Sequence, residues 1–126
     1  MKILAAIITH NRCELLERCI NHLQKQTRLP DSILVVNNGS TDATVDMLMR
    51  RNIQHITQEN LGSAGGWNRC ISYALEHHFD AVWLMDDDGF PDPSALERLK
   101  SNLDTDTACI SSVVLREKDR KRLVFP

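Results

Sequence analysis

The stretch Ala81-Val82-Trp83-Leu84-Met85-Asp86-Asp87-Asp88-Gly89 determines how the rest of the chain is interpreted. Its apolar run, rich in branched and aromatic residues and bounded by glycine, predicts a buried β-strand that ends in aspartates. Because side chains alternate across a strand, Asp86 and Asp88 are predicted to leave on one side and Asp87 on the other. Neighbouring carboxylates resist joint ionisation unless a cation joins them. An all-oxygen site favours Mg²⁺ or Mn²⁺, which predicts a metal-assisted site for a phosphate-bearing ligand.

Strand and helix patterns alternate along the whole chain. Apolar runs predict strands at residues 2–9, 32–37, 53–57 and 108–115, in addition to the one that ends in the aspartates. Amphipathic spacing predicts helices between them, two of which cover residues 42–50 and 64–77. Residues 116–122 are charged and predict a turn, and residues 123–126 read as the start of a further element. The alternation predicts an α/β fold with a mostly parallel sheet and helices on both faces.

Particular residues mark the helix boundaries. Asn11 is predicted to cap the first helix, with Glu14 at the capping-box position. Asp92 is predicted to cap the fourth helix, with Pro93 in its first turn. The third helix is predicted to bury an apolar face formed by Trp67, Ile71, Ala74 and Leu75.

The loops that follow strands carry the unusual composition. They cover residues 9–12, 37–42, 60–66 and 86–89, whereas the opposite loops are short and plain. In open parallel sheets, ligands bind outside the carboxyl ends of the strands. The sequence therefore predicts that the functional edge of the sheet is its carboxyl edge.

Composition narrows the class of protein. The 126 residues fit one domain, residues 1–126, and the net charge of −2 provides no basic field for nucleic acid. No apolar stretch approaches the length of a membrane span. The cysteines Cys13, Cys19, Cys70 and Cys109 show no C-x-x-C spacing, lie within apolar patterns and are predicted to be buried, reduced thiols of a cytosolic protein.

The weaker motifs each have a structural interpretation. Glycines in residues 60–66 suit phosphate binding at a helix start, but they also suit close helix packing or a simple turn. The sequence of residues 37–42 is also typical of a turn followed by a helix cap. Trp67, at helical spacing, is more often a core residue than a ligand platform. The aspartate triplet differs from these weaker motifs, because three carboxylates at the end of a strand favour a functional role on their own.

The motifs in combination resemble a known family. The order of Thr9-His10-Asn11-Arg12, the loop 37–42, the glycine-rich helix start before Trp67, and the aspartate triplet is that of family 2 glycosyltransferases with the GT-A fold. The resemblance is to their Rossmann-like, nucleotide-sugar-binding half, in the branch that includes rhamnosyltransferases and galactofuranosyltransferases. It covers about residues 2–115.

The resemblance implies roles for individual residues. Asn37 stands where the family usually has an aspartate that reads the nucleobase. Asp86 is implied to face ribose or metal, and Asp88 to be a metal ligand. The full set implied to bind nucleotide and donor is Thr9, Asn11, Arg12, Asn37, Asn60, Gly65, Gly66, Trp67, Asp86 and Asp87.

The resemblance also implies a reaction. The family transfers a sugar, with inversion, from a nucleoside-diphosphate donor (here UDP- or dTDP-linked) to a glycan or lipid-linked saccharide acceptor, with Mn²⁺ or Mg²⁺ as cofactor. The family's general base lies well downstream of the aspartates, so no catalytic residue is expected within this chain. The chain is expected to be the donor-binding portion, truncated before the acceptor-binding part. Self-association through an unfinished sheet edge is a further expectation, as is a cytoplasmic location, with the periphery of the inner membrane as an alternative for the full-length protein.

Three other functions are alternatives for a sequence with these motifs. A non-catalytic nucleotide-binding or interaction module is favoured by Asn37 and by the early end of the sequence. A haloacid-dehalogenase-type phosphatase also places D-x-D after an apolar strand, but usually on its first strand and with a small residue at the position of Phe90. A nucleotidyltransferase would need a glycine-rich basic loop after the first strand, and residues 9–12 do not form one.

Overall fold

A computed structural model describes residues 1–124 and shows an α/β fold. The parallel strands are β1 (Ile3–Thr9), β2 (Ser32–Asn38), β3 (Gln54–Gln58) and β4 (Ala81–Asp86), and they pair in the order β3-β2-β1-β4. The helices are α1 (Cys13–Leu23), α2 (Thr44–Arg50), α3 (Gly62–Glu76) and α4 (Ala95–Ser101). A separate antiparallel hairpin follows, formed by β5 (Leu115–Arg116) and β6 (Asp119–Leu123). The expected α/β fold with a mostly parallel sheet is confirmed.

Strand β1 lies in the middle of the sheet, and every one of its residues is buried. It pairs with β2 on one side and with β4 on the other. A strand covered on both faces needs a continuous apolar sequence rather than an alternating one, which explains the run Ile3-Leu4-Ala5-Ala6-Ile7-Ile8. This packing places the polar end of β1 at the carboxyl edge of the sheet.

Two apolar clusters cover the two faces of the sheet. One joins Ala5, Ile7 and Val35 to the buried residues of α1 and α2. The other joins the alternate strand residues, such as Ala6 and Val36, to α3. Helices therefore lie on both faces, as the sequence predicted.

Gly66 allows α3 to lie directly against β1. A Cβ atom at this position would lie 2.8 Å from Ile8 Cγ2 and 3.1 Å from Asn38 Nδ2. The buried face of α3 is accordingly formed by Gly66, Cys70 and Ala74. The predicted apolar face was therefore wrong in part, because Ile71 and Leu75 are exposed and Leu75 is 71% exposed.

Two predicted helix caps were also wrong. Helix α1 begins at Cys13 rather than after Asn11, and no side chain caps it. Asn11 instead adopts a positive φ of 51° and bonds to the loop after β2. Helix α4 begins at Ala95. The Asp92 carboxylate lies before this helix and accepts hydrogen bonds from the N–H and the Oγ of Ser94.

The strand predicted at residues 108–115 does not form. Residues 108–114 have no regular structure, and only Leu115 enters a strand, in the β5–β6 hairpin. The hairpin spans most of residues 116–122, where the sequence predicted a turn. Of the predicted element at residues 123–126, Leu123 closes β6, and Phe125 and Pro126 lie outside the described residues.

Within residues 1–124, β4 forms one edge of the parallel sheet. Self-association through this edge remains a prediction. A helix long and apolar enough to cross a bilayer does not occur in the described part of the chain.

Candidate functional site

The carboxyl ends of β1, β2 and β4 meet at one edge of the sheet. In the strand register Thr9 lies beside Asn37, and Ile8 lies beside Asp86. Since neighbouring residues of parallel strands share a face, Asp86 lies on the α3 face with Ile8. The sequence-predicted residues of strands β1, β2 and β4 are therefore brought together at this edge.

Asp87 is the buried centre of the site. Its residue exposure is 4%, and its Oδ2 accepts a hydrogen bond of 2.9 Å from Thr9 Oγ1. Its Oδ1 accepts from Arg12 Nη1 at 3.2 Å. Both carboxylate oxygens are thus bound inside the protein, and a direct contact of Asp87 with the donor stays a prediction.

The ionisation of Asp87 depends on these two partners. Burial raises the pKa of Asp87, and the hydrogen bond from Thr9 and the charge of Arg12 oppose that rise. The neighbouring Asp88 carboxylate raises the pKa of Asp87 further. Thr9 and Arg12 are consequently the groups that favour the charged form of this buried side chain.

Asp86 and Asp88 are exposed on either side of Asp87. Strand β4 ends at Asp86, and residues 87 and 88 form a turn, so strict alternation stops there. The turn brings Asp88 Oδ2 to 3.8 Å from Arg12 Nη1. Arg12 therefore faces both Asp87 and Asp88, although strict alternation predicts that these two side chains lie on opposite sides.

Arg18, which no sequence motif singled out, holds the turn from the α1 side. Its Nη2 donates to the Asp88 carbonyl at 3.3 Å, and its guanidinium lies 4.3 Å from the centre of the Phe90 ring. His22, one helical turn later, also packs against Phe90. The i,i+4 spacing of Arg18 and His22 was the signal for a shared face, but nothing local indicated Phe90 as the partner.

Asn11 ties the loop after β1 to the loop after β2. Its Oδ1 accepts from the backbone N–H of Thr41 at 2.7 Å, and its own N–H donates to Ser40 Oγ at 3.0 Å. His10 Nδ1–H donates to the Asn38 carbonyl at 2.6 Å. Asparagine tolerates the left-handed backbone that this arrangement requires. The two loops therefore form one connected rim.

Asn37 is fully buried, with both ends of its amide bonded. Its Oδ1 accepts from the Ser40 N–H at 3.1 Å, and its Nδ2 donates to Thr57 Oγ1 at 3.3 Å. In this conformation the amide supports the loop and the neighbouring strand β3. Its role in reading a nucleobase stays a prediction.

The start of α3 is fastened to the end of β2. Asn38 Nδ2 donates to the Gly62 carbonyl at 3.1 Å, and Asn60 Oδ1 accepts from the Gly62 N–H at 3.0 Å.

Trp67 is half-buried and packs against the apolar cluster under α3. A Cβ atom at Gly65 would clash with the Leu61 Cβ. The contacts at these residues are hydrogen bonds and packing contacts within the protein, and the donor-binding roles of Asn60, Gly65, Gly66 and Trp67 stay predictions.

The carboxylates suit a divalent metal by their chemistry. Asp86 and Asp88 are exposed oxygen donors at one edge, as Mg²⁺ and Mn²⁺ prefer. A cluster of three or more His, Cys, Asp or Glu side chains in metal-binding positions is not found among residues 1–124. Two carboxylates suffice where substrate phosphates supply the remaining oxygens.

The thiols near the site do not provide nucleophiles. Burial and the nearby Asp87 and Asp88 carboxylates raise the pKa of Cys19 to about 12, so the thiol stays protonated. Burial also raises the pKa of Cys70 to about 11. Cys19 and Cys70 are buried in the core, as predicted. The prediction of burial was wrong for Cys109, which is exposed, and wrong in part for Cys13, which is half-buried.

An open cleft of about 380 Å³ lies at the opposite edge of the sheet. It is lined by the segments Leu29–Ile33 and Asn52–Gln54, along with the end of α1. Its one carboxylate, Asp31, accepts from the Ile3 N–H at 2.7 Å, and this bond lowers the pKa of Asp31. The cleft thus lacks the concentration of free carboxylates that marks the carboxyl edge.

Comparison with known proteins identifies the family. The model of the family described as Glycosyl transferase family 2 matches residues 5–125. The chain therefore belongs to glycosyltransferase family 2.

Two curated relatives are galactofuranosyltransferases named GlfT1. The protein from Mycolicibacterium smegmatis is 34% identical over 127 residues, which cover 97% of this chain and 42% of the relative. The protein from Mycobacterium tuberculosis is 36% identical over 131 residues, which cover 98% of this chain and 43% of the relative. The chain thus spans less than half the length of these relatives.

Solved structures show that the fold is shared. The mannosyltransferase PcManGT from Pyrobaculum calidifontis, in complex with GDP-Man and Mn²⁺, superposes with a TM-score of 0.73 at 23% identity, over 95% of this chain and 37% of that one. S. aureus TarS 1-349 in complex with UDP-GlcNAc superposes with a TM-score of 0.58 at 21% identity, over 80% of this chain and 30% of that one. The expected GT-A fold is confirmed.

Proposed function

We propose that this chain is the donor-binding part of a metal-dependent, inverting glycosyltransferase. Its donor would be a UDP- or dTDP-linked sugar, and its acceptor a glycan or lipid-linked saccharide. The observation that carries the proposal is the convergence of Arg12, Asp86 and Asp88 at the carboxyl edge, beside the rim formed by residues 9–12 and 37–42. The GlfT1 relatives favour a galactofuranose donor over the rhamnose alternative.

The rim offers the groups that a nucleoside diphosphate needs. Arg12 presents a half-exposed guanidinium that is suited to phosphate oxygens. Residues 9–12 and 37–42 are held to each other by Asn11, so a base and ribose between them would meet a preorganised surface. Asn37 would support this surface from below through Ser40.

Asp86 and Asp88 are the residues that would hold the metal. A bound divalent ion would neutralise the charge that develops on the leaving diphosphate. Within this chain, Asp87 holds Arg12 beside that edge, and Arg18 holds the backbone of the turn that carries Asp88. These contacts would fix the positions of the side chains that bind the donor diphosphate and the metal. The general base would come from outside this chain, as the family resemblance implies.

Thermal unfolding in the presence of nucleotides tests the proposal. We expect UDP or dTDP with Mn²⁺ to raise the Tm by several degrees, since a ligand at a hundred times its dissociation constant adds about 2.7 kcal/mol to the free energy of unfolding. The same nucleotide with EDTA should give little or no shift. GDP serves as the matched control for base specificity, because PcManGT was solved with GDP-Man.

The pattern of Tm shifts decides whether the chain has a metal-dependent donor site. A metal-dependent shift supports donor binding, and the nucleotide that gives it narrows the donor. A folded sample with no shift in any nucleotide, with or without Mn²⁺, would contradict the proposed donor site.

A further inference from the structure

Arg12 faces two carboxylates in very different surroundings. The Asp87 side chain is 6% exposed and lies 3.2 Å from Arg12 Nη1. The Asp88 side chain is 59% exposed and lies 3.8 Å from the same nitrogen atom. The first distance is that of a hydrogen bond, and the second is that of an ion pair without one. The guanidinium is therefore held firmly on one side and weakly on the other.

On the firmly held side, the Asp87 carboxylate holds Arg12 in place rather than binding a ligand. A buried carboxylate requires partners for its charge and its lone pairs. Thr9 and Arg12 supply them, one at each oxygen atom of Asp87. If Asp87 turned towards a metal, it would have to abandon both contacts. Asp87 thus acts by fixing the position of Arg12.

The weak side is open to competition. An exposed ion pair contributes little free energy, so a divalent cation at Asp88 can displace the guanidinium. Arg12 is also half-exposed, which leaves the guanidinium a free direction towards solvent. Because Asp87 still holds it, a displaced Arg12 stays at the edge of the site.

We propose that Arg12, held in place by Asp87, is a resident counter-ion that competes with the divalent metal for the Asp88 carboxylate. This inference rests on the proposed metal-binding role of Asp88. Asp87 is then a positioning residue: it keeps part of the Arg12 charge away from Asp88 and so favours metal binding. Arg12 and Asp87 should therefore affect metal affinity in opposite directions, and Asp87 should act through Arg12.

The test is a titration with Mn²⁺ alone, in which the free ion is measured by electron paramagnetic resonance. We expect Arg12→Gln to bind Mn²⁺ about three- to fivefold more tightly than the wild type, as loss of an exposed competing ion pair predicts. Asp87→Asn should bind more weakly by a similar factor, since Arg12 is then free to pair fully with Asp88. Arg51→Gln removes an arginine that pairs with Glu17 instead, and it should leave the affinity unchanged.

The double variant R12Q/D87N separates this mechanism from simple charge effects. If Asp87 acts through Arg12, the Asp87→Asn substitution should change Mn²⁺ affinity only when Arg12 is present. Equal weakening in both backgrounds would mean that Asp87 acts by its own charge, which would overturn the inference. Thr9→Val, which removes the other contact to Asp87, provides a second route if Asp87→Asn fails to fold: it should change Mn²⁺ affinity when Arg12 is present and leave it unchanged in the Arg12→Gln background.

The same titration distinguishes failure of the inference from failure of the proposed function. If the wild type binds Mn²⁺ and Asp88→Asn does not, but Arg12→Gln matches the wild type, the metal site stands and the counter-ion role is wrong. If the wild type binds no Mn²⁺, or if Asp88→Asn binds it equally well, the proposed metal site is wrong and the inference fails with it.

Discussion

Asp88→Ala is expected to remove the metal-dependent part of nucleotide affinity. With Asp86 left as the remaining carboxylate at the exposed edge, the metal would lose one of its two protein ligands. Substituting residues that merely orient a metal ligand typically costs about 10–100-fold in metal affinity. Loss of the ligand itself should cost at least as much. Isothermal titration with UDP and Mn²⁺ measures the loss directly.

Asp46→Ala is the matched control for this substitution. Asp46 is an exposed aspartate on α2, so its removal changes the net charge equally but at a distance from the site. It should leave nucleotide affinity unchanged. Similar affinity in Asp88→Ala and in the wild type would show that Asp88 does not bind the metal.

Gly66→Val is expected to destabilise the fold by about 1–3 kcal/mol, the usual cost of forcing extra atoms into a packed interior. The contact at issue lies between α3 and β1, where a Cβ would lie 2.8 Å from Ile8 Cγ2. Ile8 is a core residue of the central strand, so it has little room to move. For a domain of this size the Tm should fall by roughly 4 °C per kcal/mol. Thermal unfolding followed by circular dichroism measures the change.

Ala64→Val isolates the packing effect. Ala64 is exposed two residues earlier in the same helix, so the substitution introduces the same β-branched residue without a clash. Its cost should be limited to the lower helix propensity of valine, a few tenths of a kcal/mol. Equal losses of stability in Gly66→Val and Ala64→Val would show that close packing is not the role of Gly66.

The central fold was predictable because the signals for it are strong and local. The runs that became β1 and β4 are continuously apolar. In β1 this suits burial on both faces, whereas β4 lies at the sheet edge and is half-buried with Leu84 exposed, so the prediction of a buried strand there was wrong in part. Their alternation with amphipathic helices then left few topologies open. The placement of the functional edge followed from the same alternation, because it fixes where the carboxyl ends of the strands meet.

The errors arose where tertiary contacts override local preference. Asn11 has the sequence signature of a helix cap, but its amide oxygen instead accepts a hydrogen bond from the N–H of Thr41, thirty residues away. Residues 108–115 have the composition of a strand, but composition specifies neither a neighbouring strand nor a covering layer. Within the described residues, Val113 and Val114 remain exposed. A strand needs both kinds of support to form.

The aspartate triplet was predictable as a site, but its internal organisation was not. Alternation correctly separated Asp87 from Asp86, and Asp87 alone of the three is buried. The pairing of Asp87 with Arg12 spans 75 positions in the sequence and depends on how β1 and β4 lie side by side. No local pattern carries that information.

Chemical-shift mapping by NMR tests the central claim most directly, namely that a nucleoside diphosphate and a divalent metal bind at the carboxyl edge. The measurement is a titration of isotope-labelled protein with UDP and Mg²⁺. We expect the largest amide shifts in residues 9–12, 37–42 and 86–89, and smaller or no shifts when EDTA is present. Shifts confined to the opposite cleft, at Leu29–Ile33 and Asn52–Gln54, would contradict the claim.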